Sequence, residues 1–310
     1  MNFTEVNQEV STAIKNNWDE YSRMYEDVCE SVTLQSSVNL YSITRAKFAK
    51  KVCEVGVGCG LASRLFVTNI MQENAVYVAS DISEGMNSIF VKRFEESGIL
   101  DKKTKLQSLE ELDSVDVEKI VLEIGGEVSK KIFSLRVNNE QLPYSNSYFD
   151  LYLSSLSMMI VSNHHNQLSE AYRVLEEGGT AGFTVWGRSE NSTLFTFVPE
   201  VFATAGCPLP KPDRTHFHLS DKDSLIKDVK DAGFKSVKAF YTQTNPNLGS
   251  VDDVYYFCFN APNFKPHLST LTEEQREKVK EVFYEKYEES YGDETSKFMT
   301  WEILIVVAKK

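Results

Sequence analysis

Two hydrophobic periodicities divide the chain. Between residues 6 and 25, Val6, Val10, Ile14, Trp18, Tyr21 and Tyr25 recur at three- or four-residue steps, which gives a helix one apolar, aromatic face. The spacing predicts a helical segment over 1–45 that either packs on a core or lies as a lid over a pocket, with Tyr21 or Tyr25 reaching a ligand. From Lys51 strand-sized apolar runs take over, at 52–55, 76–79, 132–137, 151–156, 180–186, 234–241 and 301–308. Helical patterns separate them at 61–71, 84–97, 164–175, 221–232 and 273–291, and Glu177-Gly178-Gly179 reads as the glycine stop of the third. Strand and helix in alternation predict an α/β fold: a doubly wound, mostly parallel seven-stranded sheet with helices on both faces, filling 46–310 as one domain. Residues 98–130 are charged and punctuated by Leu; they read as a helical surface insertion ended by Gly125-Gly126. Residues 189–220 change character again, with Pro199, Pro208, Pro210 and Pro212 among Phe195, Phe197 and Phe202, and read as a cap insertion over the end of the sheet.

The first strand runs directly into Gly56, Gly58 and Gly60. Alternating glycines let the backbone turn sharply and let a ligand approach without a Cβ between. The following helix aims its free amides back at that loop, which suits a polar or anionic ligand end. Asp81 ends the second strand 21 residues after Gly60, where a doubly wound sheet presents a carboxylate to the hydroxyls of a ribose. A dinucleotide loop would read G-x-G-x-x-G. Counting from Gly56 or Gly58, its last glycine would fall on Leu61 or Ser63, so a nicotinamide or flavin enzyme is set aside.

These residues resemble a known family. Val52 to Gly60 is similar to the first motif of class I S-adenosylmethionine-dependent methyltransferases, a hydrophobic strand with an acidic residue and G-x-G-x-G. Val78-Ala-Ser-Asp81 resembles the second-strand acidic motif. Asn139-Glu-Gln-Leu-Pro-Tyr144 with Ser147-Tyr-Phe-Asp150, and Glu170 to Gly179, resemble two segments of the small-molecule group that includes the ubiquinone and menaquinone C-methyltransferases. The likeness covers roughly residues 46–190. It implies S-adenosylmethionine as cofactor and in-line methyl transfer to a small-molecule acceptor, without a covalent intermediate. It implies Gly56, Gly58 and Gly60 along the methionine and ribose, Glu54 towards the donor's amino group, and Ile82 beside Asp81 against the adenine. It further implies Asn138, or Asn139 one position on, at the adenine amino group, and Ser154, Ser155 and Leu156 at a strand tip over the donor.

Composition narrows the acceptor. The net charge of -12 gives no bulk attraction to phosphate backbones, so nucleic acid is a poor partner. The cysteines, Cys29, Cys53, Cys59, Cys207 and Cys258, form no C-x-x-C pair, so neither a disulfide framework nor a zinc site is indicated. No apolar run reaches membrane-spanning length and no leader pattern opens the chain, which together predict a cytoplasmic setting. His164 and His165, after the fourth strand, are candidate bases near neutral pH. His216 and His218 in the cap, and Trp186 and Arg188 leaving the fifth strand, are candidate acceptor contacts, with Arg188 suited to an anionic group. The alternative reading is a non-catalytic or protein-directed methyltransferase-fold subunit, with 98–130 as its contact surface.

Overall fold

The computed structural model describes residues 5–109, 114–124, 127–211, 214–245, 249–261, 264–292 and 299–310. The expected Gly125-Gly126 stop and Pro212 lie outside the described residues. The strands are β1 (Lys51–Val55), β2 (Ala75–Asp81), β3 (Thr104–Leu109), β4 (Lys130–Arg136), β5 (Phe149–Ser155), β6 (Leu175–Trp186), β7 (Ser236–Thr244) and β8 (Trp301–Lys309). Around them run α1 (Gln8–Met24), α2 (Glu30–Ile43), α3 (Leu61–Asn69), α4 (Glu84–Glu96), α5 (Val117–Glu123) and α6 (His164–Val174). Beyond β6 come α7 (Thr193–Thr204), α8 (Lys222–Asp231), α9 (Val251–Asn260), α10 (Lys265–Thr270) and α11 (Glu273–Tyr291).

The sheet order is β3-β4-β2-β1-β5-β6-β8-β7. Strands β1 to β6 pair in parallel, and β8 runs antiparallel between β6 and β7. The chain therefore reverses its direction of winding between β1 and β5, and a doubly wound sheet binds ligands at the strand ends beside such a switch. Alternate residues of each strand serve the two faces. On one face Cys53, Val55, Phe133, Tyr152, Phe183 and Val306 pack against Leu168 and Val174 of α6 and Val229 of α8. On the other, Val52, Tyr77, Ile132, Leu153 and Ile305 meet Leu40 and Tyr41 of α2, Phe66 of α3 and Phe90 of α4.

Three features depart from the sequence expectation. The sheet has eight strands, because Thr104–Leu109 adds β3 inside the segment expected to be wholly helical. As an edge strand it buries little, and Lys105, Gln107 and Ser108 dilute the alternation that marks a strand. The glycine pair does not stop α6. Leu175 is already extended (ψ 140°), and Gly178 (φ 80°) sits where the pairing jumps from Phe149–Leu175 to Leu151–Thr180. Segment 1–45 splits at a π-helical turn, Tyr25–Cys29, so that α1 packs on α4 while α2 lies on the sheet face.

Segments 189–211, 249–261, 264–292 and 299–301 build a second apolar layer. Phe197, Phe202, Phe257, Phe259, Phe283 and Trp301 bury one another there, joined by Cys29 of the π-helical turn and Val32 of α2. Edge-to-face contacts recur in it, with Phe197–Phe283 centroids 5.6 Å apart and Phe259–Phe283 5.5 Å apart. Among the described residues no helix is long and apolar enough to cross a membrane.

Candidate active site

The glycine loop adopts a shape that side chains resist. Gly56, Gly58 and Gly60 have φ of 66°, 58° and 84°. A Cβ on Gly56 would stand 2.5 Å from Ser157 Cβ, and one on Gly58 would stand 3.1 Å from the Tyr25 ring. A Cβ on Gly60 would meet Phe90 at 2.4 Å, so that glycine is fixed by packing of α3 on α4. At the tip of β2, Asp81 accepts from the Gly58 amide and from the Ser83 amide, each at 3.0 Å. Burial raises its carboxyl above the usual range, while these amides pull it back down.

Above these strand ends lies a cavity of about 410 Å³. Tyr25, Gly56, Gly58, Asp81, Ile82, Asn138, Asn139, Ser155, Leu156, Trp186 and His216, all singled out in the sequence, line it. Asn138 donates to Ser11 Oγ (3.1 Å) and so ties β4's end to α1. Asn139 is buried, and its Oδ1 has no hydrogen-bond partner among the described residues. Leu156 carries φ 51° in a non-glycine residue, held by its amide donating to Thr184 O at 2.9 Å and Oγ1 at 3.0 Å. Such backbone strain concentrates at ligand sites.

Other expected residues stand elsewhere. Glu54 is 3% exposed and faces a separate cavity of about 30 Å³ under the loop, lined also by Glu30, Thr33, Gly56 and Ser155. It accepts from the hydroxyls of Tyr41 (2.9 Å) and Tyr77 (2.6 Å), and burial pushes its carboxyl up to about 7. Ser154 is buried beneath the site, bonded to Ser157 and Gln167. Tyr21 lies off the cavity beside Lys265. Arg188 does not reach it either: its guanidinium pairs with the buried Glu302 (2.7 Å) and covers the Tyr241 ring. Neither expected base, His164 nor His165, lines the cavity. His164 is bonded to Asp228 (3.0 Å), with burial lowering its pKa, and its ring lies tilted against that of His165. His218 is engaged by Arg214.

The sequence did not single out the rest of the wall. Glu140 is 3% exposed and accepts from the amides of Ser162 (3.0 Å) and Asn163 (2.7 Å), which fixes the segment after β5. Trp18 of α1, Met159, Ile160, Val161, Leu194, Phe195, Phe257, Phe264 and Trp301 supply apolar wall. Trp301 Nε1 is buried without a hydrogen-bond partner among the described residues. The aromatic periodicity of α1 and the Phe-rich 195–202 run were visible signals; Phe257 and Phe264, between two strands, left none. The cavity thus has glycine backbone, carboxylate and carboxamide with Tyr25 and Trp18 beside them, and a separate ring cluster of Trp186, Phe195, Phe257 and Trp301.

Residues 53–183 match the family described as a methyltransferase domain. No curated protein matches the chain. Among solved structures, a candidate methyltransferase from Bacillus halodurans C-125 is 17% identical, with a TM-score of 0.50 over 89% of this chain and 99% of that one. The complex between the Haloferax volcanii Trm112 methyltransferase activator and a candidate methyltransferase gives 15% identity and a TM-score of 0.50, covering 96% of each chain. At these identities the neighbours establish the fold.

Proposed function

We propose that the chain, whose residues 53–183 match a methyltransferase domain, is a class I S-adenosylmethionine-dependent methyltransferase that methylates a small, largely apolar acceptor of the quinol, phenol or amine kind. The observation that carries this reading is the make-up of the cavity, with polar groups at the glycine loop and a separate aromatic cluster. The residues present fit the donor. Gly56 and Gly58 form a cradle that a Cβ would fill, Asp81 presents a carboxylate, and Asn139 Oδ1 is an unpaired acceptor.

Asp81 would hold the ribose hydroxyls, Ile82 would lie along the adenine, and Asn138 or Asn139 would accept from its amino group. The loop backbone would contact the methionine portion, with the Tyr25 ring standing over Gly58. Bound donor supplies an electrophilic methyl on a sulfonium. The protein's task is then alignment and exclusion of water, which the apolar wall performs. His216, in the wall, contacts the acceptor. Calorimetry with S-adenosylmethionine, followed by a radiomethyl screen of hydroquinones, phenols and amines, tests this. Label transferred to RNA or protein but to none of those compounds would overturn the acceptor class.

A second reading has its own observation. Leu122 of α5 is 74% exposed. That face suits an assembly partner, and the Haloferax neighbour was solved with an activator protein. Co-purification lost on Leu122→Lys, with donor binding intact, would favour it.

A further inference from the structure

Outside the cavity lining, α6 and α8 bring three metal-ligating side chains together. His164 Nε2 is 3.0 Å from Asp228 Oδ2, and the His164 and His165 rings are 4.0 Å apart between centroids. One donor atom from each of the three lies within 4.8 Å of the other two. We propose that His164, His165 and Asp228 form a binding site for a divalent transition-metal ion of the zinc class.

The donor set argues the ion's chemistry. Two imidazoles and one carboxylate suit Zn(II), Co(II) or Ni(II), whereas Mg(II) and Ca(II) prefer oxygen ligands alone. Ligand distances of about 2.0–2.2 Å place tetrahedral ligands roughly 3.3–3.6 Å apart, so a pair at the 4.8 Å limit would close by roughly 1.2–1.5 Å. His165 is exposed, so rotation between its side-chain rotamers is the movement least opposed by packing. Three protein ligands leave a fourth position for water. A plain hydrogen bond between α6 and α8 accounts for His164 and Asp228, but it leaves the convergence of His165 on the same point unexplained.

The surroundings act both ways. The net charge of -12 favours a cation. Arg214 opposes it, yet that guanidinium is anchored on His218 Nε2 (2.6 Å) and Val161 O (2.8 Å). The His218 ring stands 6.4 Å from His164 and is not a ligand in this arrangement. Since Val161 and His216 line the cavity, the ion would brace α6 and α8 beside the cavity wall.

The test uses the full chain dialysed against Co(II) and then Zn(II). We expect about one Co(II) retained per chain at micromolar concentration, visible d–d absorption, and displacement by Zn(II). His164→Ala and Asp228→Asn should each weaken retention at least about tenfold. If either variant misfolds, the exposed His165→Gln carries the test, with the same loss expected. No retained Co(II), retention unchanged in the variants, or a thiolate charge-transfer band assigning the ion to cysteine would each overturn the proposal.

Discussion

Glu54 is a carboxylate inside an apolar strand, and its proton follows from that burial. Its carboxyl rises from 4.5 to about 7 because burial disfavours charge, with the Tyr77 and Tyr41 hydroxyls offsetting part of the cost. Between those two values the folded chain keeps a proton that the unfolded chain releases. Folding stability should therefore fall as pH rises from about 4.5 to about 7 and level off above, by on the order of 3 kcal/mol. Glu54→Gln should flatten that decline, since the amide does not titrate. Thermal melts of both proteins across pH 4.5 to 8 check it, and parallel curves would refute the assignment. Asp81 makes a different prediction. Its two oxygens serve the Gly58 and Ser83 amides, so Asp81→Asn turns one acceptor into a donor facing an N–H. Loss of a charged hydrogen bond, about 1.5–3 kcal/mol, should raise the donor Kd roughly tenfold to a hundredfold in calorimetry. Gly56→Ala should abolish donor binding, since φ of 66° and Ser157 at 2.5 Å oppose the methyl. These residues were legible in the sequence because each is a demand on backbone or charge that few residue types meet. Leu156 was legible as a strand tip but not in its conformation, because nothing in a leucine announces a left-handed backbone.

Elements are placed by what they bury, and the N-terminal helix is the instructive case. Helix α1 is held on α4 by polar contacts: Asp19 accepts from Ser83 Oγ at 2.7 Å and from the Gly85 amide at 3.1 Å, at the start of α4. The approach is close, since a Cβ on Gly85 would stand 2.6 Å from Ser22 Oγ. Asp19→Ala removes a cap-like contact of about 1 kcal/mol. Amide exchange over residues 8–29 should quicken while the sheet stays protected; unchanged exchange would mean that the apolar face alone holds α1. Period-3.6 patterning announced this helix, but not that α2 would leave it to lie on the sheet. Both halves are helical and apolar, and the difference lies in partners contributed by distant strands. The five central strands were readable as near-continuous apolar runs, as parallel strands buried on both faces should be. Edge strand β3 was not, because one side of it is solvated.

At the scale of the molecule, the polar groups and the ring cluster of the cavity belong to different parts of the chain. The sheet ends supply the loop and Asp81, while α7, α9 and β8 supply Phe195, Phe257 and Trp301. Donor and acceptor recognition should therefore separate under mutation. Phe195 and Phe197 lie two residues apart on α7 and make opposite predictions. Phe195 is half-buried and lines the cavity; Phe197 is 6% exposed and packs on Phe283, away from it. Phe195→Ala should raise the KM of an apolar acceptor about tenfold, the worth of roughly 1.5 kcal/mol of apolar contact, and leave the donor Kd within about twofold. Phe197→Ala should instead destabilise the chain by about 3 kcal/mol or more, through the cavity it leaves. It should change KM little at temperatures where the protein remains folded. Steady-state kinetics beside donor calorimetry and thermal melts distinguish the pair. Equal effects of both variants on KM would show that α7 acts as a packing unit and that the acceptor is read elsewhere. A fall in donor affinity with Phe195→Ala would merge the two into one site.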